Sequence, residues 1–381
     1  MKYLPAPAVS RLGEFSRVTS AIGPDDFVSL AIGDPDLPTP PVILEAGIAA
    51  LRDGYTHYTD WNGDPDLRLR VAEVESARAF SAYAFENTVI GHGATGILYS
   101  AILALVGPGD RVVLPEPTYT LYADLVMLAG GLPVFVPLLP DHHLDLETLG
   151  EAMVGAKMVV LCSPGNPTGV VFTREEFVEV ARLAERHKIW VLSDEAYSAL
   201  VYDGVEFTSA LEVPEFADRL IYCQTFSKSF AMTGWRVGYA LASPEVAEAM
   251  RIMHRTINGP LNAAAQRAAI VALDNRHELA ANMLASYTTR REYMHGRIAE
   301  IDGLEAAKPD GAFYVFARFN SDVDSFQMAD RLTLAGVGVR AGREYGPTGE
   351  RHLRLCFATD IARIAPAMDR IADVFSALAA R

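Results

Sequence analysis

Unbroken apolar runs alternating with helical stretches predict an α/β fold, in which a mostly parallel sheet is covered on both faces and a smaller α+β unit follows. The runs VVLP, MVVLC, WVLS and LIYC carry no polar alternation, as expected of strands buried on both sides. Helical segments separate them, and this order gives parallel strands with crossover helices. From about Ala263 the pattern changes. A long helical region runs to Ile301, and then GAFYVFARF and RHLRLCFA read as strands with helices between and after. The expected division is an N-terminal arm with part of the small domain (1–42), a large domain (43–277) and a C-terminal small domain (278–381).

The elements follow in order. Pro and Asp clusters in PDDFVSLAIGDPDLPTPPVILE mark turns between an arm and a helix beginning near Val42. Thr88 to Asp110 reads as a short strand, a glycine turn, a helix and a Gly-Pro-Gly stop. RVVLPEPTYT is a strand ending in a polar loop, a helix starts near Leu121, and LPVFVPL is the next strand. MVVLCSP follows. Thr173 and Glu176 then form a capping box that opens a helix to about His187. IWVLSDE, RLIYCQ and RVGYALA are the next strands. The pair His142–His143, in PDHHLD, reads as a solvated loop.

Composition narrows the function. A chain of 381 residues, half of them hydrophobic, can bury a sizeable core and suggests about two domains. A formal charge of −15 argues against nucleic acid or anionic membrane as a partner. No apolar run approaches the ~20 residues of a membrane span, and MKYLPAPAVSRLGEFS has no signal-peptide core. Cys162, Cys223 and Cys356 fit neither a metal spacing nor a disulfide framework, so buried free thiols in a reducing cytoplasm are expected.

The chemistry concentrates in YCQTFSKSFAMTGWRVGYA, residues 222–240. Lys228 stands among Thr225, Ser227 and Ser229, with Arg236 downstream. Hydroxyls and an arginine suit a phosphate, and the amine suits a Schiff base with a nearby carbonyl. GHGATG, residues 91–96, lies between a strand and a helix, where the amides of Ala94 and Thr95 and the Thr95 hydroxyl would face an anion. It also matches a dinucleotide-binding turn, with Glu116 near the position of a ribose-binding acid. SPGNPTG places Asn166, and SDEAY places Asp194 and Tyr197, at the carboxyl ends of strands, where ligands bind in such folds. A buried Asp194 needs a cationic partner, and a protonated pyridine nitrogen is one.

These pieces, in this order, resemble the class I/II aminotransferases of fold type I, which depend on pyridoxal 5'-phosphate. The resemblance spans nearly the whole chain, from LAIGDPDLPTP through GHGAT, PTYTLY, SPGNPTG, SDEAY and TFSKSFAMTGWRVGY to KPDGAFYVF and RHLRLCFA. It implies a large domain with a mostly parallel seven-stranded sheet and a homodimer with shared sites. It further implies that Lys228 forms the Schiff base, that Asp194 pairs with the ring nitrogen, and that Asn166 and Tyr197 bond the ring's phenolate oxygen. Ala94, Thr95, Thr225, Ser227 and Arg236 would hold the phosphate, Tyr119 would stack on the ring, and Tyr58 would reach the neighbouring subunit's phosphate. Arg354 would clamp the substrate α-carboxylate beside the Gly33 backbone, with Asn166 close by. Arg354 is preferred to Arg351 because it alternates with Leu353 and Leu355.

The implied reaction moves the amino group of an L-amino acid to a 2-oxo acid such as 2-oxoglutarate. Some acidic-substrate members carry a lysine where Thr95 stands. Ile32, Leu37 and Trp61 are apolar in segments placed around the substrate, with Trp61 reaching from the partner subunit. An uncharged donor side chain is therefore expected, and glutamate would need either an arginine from elsewhere, Arg255 being one candidate, or a flexible pocket that admits water. The alternatives are a lyase on the same scaffold such as a carbon–sulfur lyase, an aspartate-type aminotransferase, a transcription regulator built on this fold, and the dinucleotide dehydrogenase suggested by GHGATG.

Overall fold

A computed structural model describes residues 26–379 apart from 203, so most of the predicted arm lies outside the described residues. Thirteen strands are present among the described residues: β1 (Val28–Ser29), β2 (Thr88–Gly91), β3 (Arg111–Glu116), β4 (Leu132–Pro137), β5 (Met158–Cys162), β6 (Trp190–Asp194), β7 (Leu220–Thr225), β8 (Gly238–Leu241), β9 (Leu304–Glu305), β10 (Tyr314–Phe319), β11 (Val337–Gly338), β12 (Arg340–Ala341) and β13 (His352–Cys356). Seven form one sheet in the order β2-β8-β7-β6-β5-β3-β4. Every pairing in it is parallel except those of β8, which runs antiparallel to both neighbours.

The apolar runs have a simple cause. Successive side chains leave a strand on opposite faces, and both faces here are covered. Val159 and Leu161 of β5 enter one core, with Phe177, Val180 and Ala184 of the helix Arg174–His187. Met158 and Val160 enter the other, with Ile97, Leu98 and Ile102 of the helix Gly93–Leu105. Val113 against Val112 and Leu114, on β3, divide in the same way.

The second unit is an antiparallel sheet, β12-β13-β10-β9, beside a parallel pair, β1 and β11. Its core joins Val28 and Leu30 to Phe313, Leu353, Leu355 and the helix Ile361–Ala379. The chain thus returns its first described strand to the C-terminal unit. The long helical region is two helices, Ala263–Asp274 and Arg276–Ala299. They break at Asn275, whose amide side chain donates to the Val271 carbonyl at 2.8 Å.

The capping box forms as expected, with Thr173 Oγ1 accepting from Glu176 N at 3.2 Å and Glu176 Oε2 accepting from Thr173 N at 2.6 Å. The same carboxylate corrects the reading of His142–His143. It accepts from Leu144 N at 2.7 Å and meets His143 Nδ1 at 2.9 Å, so the loop is tied down and both histidines are half-buried. Burial also lowers the His142 pKa to about 4. Among the described residues no helix is long and apolar enough to cross a membrane.

Candidate active site

The carboxyl ends of β5, β6 and β7 and the loop after β3 face the second sheet across a cavity of about 430 Å³. That volume suits a cofactor with a small substrate. Lys228 enters it from the single helical turn Phe226–Ser229, which follows β7 directly. Thr225 Oγ1 caps the turn by accepting from Ser227 N at 3.2 Å. The Lys228 amine donates to the Gly33 carbonyl at 2.5 Å. Burial lowers its pKa to about 8, against the pull of Cys356 and Asp34.

One end of the cavity is built for an anion. The helix Gly93–Leu105 points its first turn there, with Ala94 and Thr95 on the wall. First-turn amides have no intrahelical acceptor, so they are free to meet an oxyanion. Gly93 has φ +68°, and a Cβ on it would stand 2.7 Å from Arg236 Nη2, so the position requires glycine. Arg236 itself adopts φ +56°, a left-handed backbone that side chains rarely take. Its Nη1 donates to the Thr233 carbonyl at 2.9 Å. Thr225 and Ser227 complete this end, their hydroxyls 3.0 Å apart.

The floor is Asp194, the last residue of β6, 4% exposed. Burial pushes its carboxyl up. The Tyr122 hydroxyl, donating at 2.7 Å, and the Ala196 amide, donating at 3.2 Å, oppose that, as does the charge of Lys228. Tyr119 lies edge-on to Tyr122 with centroids 5.6 Å apart. On the opposite wall the Tyr197 and Tyr314 hydroxyls are 2.9 Å apart.

Arg354 is buried in β13 and lines the cavity, whereas Leu353 and Leu355 turn into the second core. Its Nη1 donates to Asn166 Oδ1 at 3.0 Å and its Nη2 to the Ala31 carbonyl. Its Nε is buried without a partner. The rings of Tyr314 and Tyr345 lie 4.3 and 5.1 Å from the guanidinium carbon. Arg351 is exposed at φ +62° and does not line the cavity. Gly33 faces Tyr314 so closely that a Cβ would fall 1.8 Å from the phenol oxygen.

Gly33, Ala94, Thr95, Tyr119, Asn166, Asp194, Tyr197, Thr225, Ser227, Lys228, Arg236 and Arg354 therefore share one cavity. Tyr58 and Trp61 do not enter it. They sit 6.2 Å apart on an external loop, 86% and 53% exposed. Ile32 lines the cavity mouth, but Leu37 turns into a neighbouring groove beside Trp235. The dinucleotide reading of GHGATG meets two obstacles. Among the described residues its strand β2 is an edge strand paired only with antiparallel β8, and Glu116 turns away to accept from Thr348 N at 3.2 Å.

Sequence reasoning missed Tyr122, Tyr314, Tyr345 and Arg340, all on the wall. Tyr122 had a signal, since it lies one helical turn beyond Tyr119 in PTYTLY. Arg340 had none in isolation, because only its pairing with β13 brings it to the site.

The donor set is that of an enzyme holding a phosphorylated pyridine aldehyde. Amides and Arg236 suit the phosphate, Asp194 lacks only a buried cation such as a protonated ring nitrogen, and the half-buried lysine suits the aldehyde. Comparison with known proteins agrees. The profile of the family described as aminotransferase class I and II matches residues 25–371. An aspartate aminotransferase of Thermotoga maritima is 36% identical over 92% of this chain and 91% of its own length. An asparagine–oxo-acid transaminase of Streptococcus mutans is 34% identical over 91% of both chains. The solved aromatic aminotransferase of Pyrococcus horikoshii superposes with a TM-score of 0.88 at 32% identity, covering 93% of this chain and 96% of that one. The chain belongs to the class I and II aminotransferases, and pyridoxal 5'-phosphate is its cofactor.

The low pKa of Lys228 predicts how the apoprotein captures that cofactor. Only the neutral amine attacks a carbonyl, so the capture rate should rise with pH and level off above about 8. Stopped-flow absorbance across pH 6–11 checks this. A rate still climbing through 10 would mean an ordinary, solvated lysine.

Proposed function

We propose that Lys228, Asp194 and Arg354 carry out transamination of an L-amino acid with an uncharged side chain, with 2-oxoglutarate among the acceptors. The observation that carries this reading is the placement of a lysine amine, a buried carboxylate and a buried guanidinium around one cavity. Bound pyridoxal 5'-phosphate supplies the carbonyl that condenses with amines and the electron sink that loosens the Cα–H bond. Asp194 would keep the ring nitrogen protonated, and Asn166 and Tyr197 would donate to the ring's phenolate oxygen. Ala94, Thr95, Thr225, Ser227 and Arg236 would hold the phosphate, and Tyr119 would lie against the ring. Arg354 holds the α-carboxylate by two parallel hydrogen bonds, about 1.5–3 kcal/mol each when charge-assisted. That fixes the Cα–H bond toward Lys228, whose Nζ takes the proton as base and returns it as acid.

The uncharged preference rests on Ile32 at the cavity mouth and on Thr95 in place of a lysine. An aspartate-type donor is the second reading, favoured by the names of relatives such as the Thermotoga enzyme and by Arg340 on the wall. We place the protein in the cytoplasm and the domain boundaries at 42/43 and 277/278. The active unit is a homodimer, in which Tyr58 and Trp61, exposed on their own chain, reach the partner's cavity.

Two experiments test this. In single half-reactions, methionine, alanine or phenylalanine should convert the bound cofactor to its aminated form with kcat/KM above that of aspartate. Aspartate ahead of all three by tenfold, about 1.4 kcal/mol, would select the second reading. For the dimer, a Lys228→Ala chain is mixed with a Tyr58→Phe chain. With shared sites, one site of the mixed dimer carries both defects and the other neither, so activity should exceed that of either parent. No gain after confirmed subunit exchange would assign the loop to its own subunit or show Tyr58 to be dispensable.

A further inference from the structure

A second guanidinium stands beside Arg354. Arg340 on β12 is the register partner of Arg354 on antiparallel β13, so the two side chains leave the same face of the sheet, and both line the cavity. Two like charges placed directly opposite repel each other. The offsetting charge comes from Glu344, one short turn downstream, whose carboxylate forms an ion pair with Arg340 and is 4% exposed. Burial raises the Glu344 pKa to about 7, against the pull of Arg340. A buried ion pair is weak evidence of a stability role, since well-packed apolar residues of similar size often do as well. The location of this pair gives a better account. Arg340 keeps 19% of its side chain exposed, and it lines the same cavity as Arg354. The other candidate, Arg255, contacts Asn62 at 3.3 Å and Glu248 at 3.6 Å and does not line this cavity.

We propose that Arg340 binds the distal carboxylate of the dicarboxylic substrate, with Glu344 taking that carboxylate's place when the bound side chain is uncharged. One pocket then serves both partners of a transamination. A five-carbon oxo acid finds a guanidinium for its second carboxylate. An uncharged donor meets an arginine already neutralised by its own chain, so no unpaired charge faces the apolar side chain. The inference rests on the transamination reading and on Arg354 as the α-carboxylate clamp.

The test uses the holoenzyme and two matched pairs of probes. Calorimetry gives the affinity for glutarate relative to butyrate, and half-reactions of the aminated enzyme give kcat/KM for 2-oxoglutarate relative to 2-oxobutyrate. Arg340→Gln should lower both ratios tenfold or more, and Glu344→Gln should raise the glutarate ratio at least threefold. Where the single exchange leaves Glu344 buried alone and unfolds the chain, Arg340→Gln with Glu344→Gln removes the pair together and keeps the test. Both ratios within threefold of the unmodified protein in a folded Arg340 variant would overturn the proposal. A glutarate ratio lowered by Glu344→Gln would overturn the stand-in role. If none of the amino acids tried converts the unmodified enzyme's cofactor to its aminated form, the transamination reading falls and takes the proposal with it. Unchanged ratios in an active enzyme sink Arg340 alone.

Discussion

A carboxylate closed off from water at the end of a central strand has to be balanced, and the site is arranged around that requirement. Asp194 ends β6 with a tyrosine hydroxyl and one backbone amide as donors. Those donors oppose the rise in its pKa but leave it raised. In the proposed reading a pyridinium nitrogen would supply the missing cation, and each would then stabilise the charged form of the other. The lysine on the turn after β7, the anion end at the Gly93–Leu105 helix and Arg354 on β13 line the same cavity as that carboxylate.

The second balance concerns substrate charge. Arg354 and Arg340 face the same cavity from adjacent strands, and the buried Glu344 carboxylate forms an ion pair with Arg340. The floor of the cavity carries a buried acid, and the wall formed by β12 and β13 carries two guanidiniums, one of them paired with Glu344. Such complementarity orients an amino acid before any bond changes, which is where much of the effective concentration of reacting groups comes from.

The order of strands and helices was legible because the apolar runs divide residue by residue between two cores, as Val159 and Val160 do. Asp194 and Lys228 were legible because they sit at a strand end and in the turn directly after a strand, where local sequence fixes position. Asn166 follows β5 in the SPGNPTG turn, and Arg354, in the middle of β13, was legible from its alternation with Leu353 and Leu355. What sequence hid was long-range pairing. Arg340 reaches the site through its register with Arg354, and Tyr314 through β10, which brings its hydroxyl 2.9 Å from that of Tyr197. His142 and His143 were misread for the same reason, since Glu176, 33 residues beyond His143, ties their loop down. Tyr58 and Trp61 carry a family expectation that a single chain cannot express in its own cavity.

The central claim is that the Asp194 charge is what makes the bound ring an electron sink. Replacing Asp194 with Asn preserves shape and removes that charge. The single-turnover rate of amino-acid deamination, followed by absorbance with cofactor occupancy measured in parallel, tests it most directly. The account predicts a fall of about 10³-fold, or roughly 4 kcal/mol of transition-state stabilisation, with the cofactor still bound. A rate within tenfold of the unmodified enzyme would show Asp194 to be structural and would contradict the account.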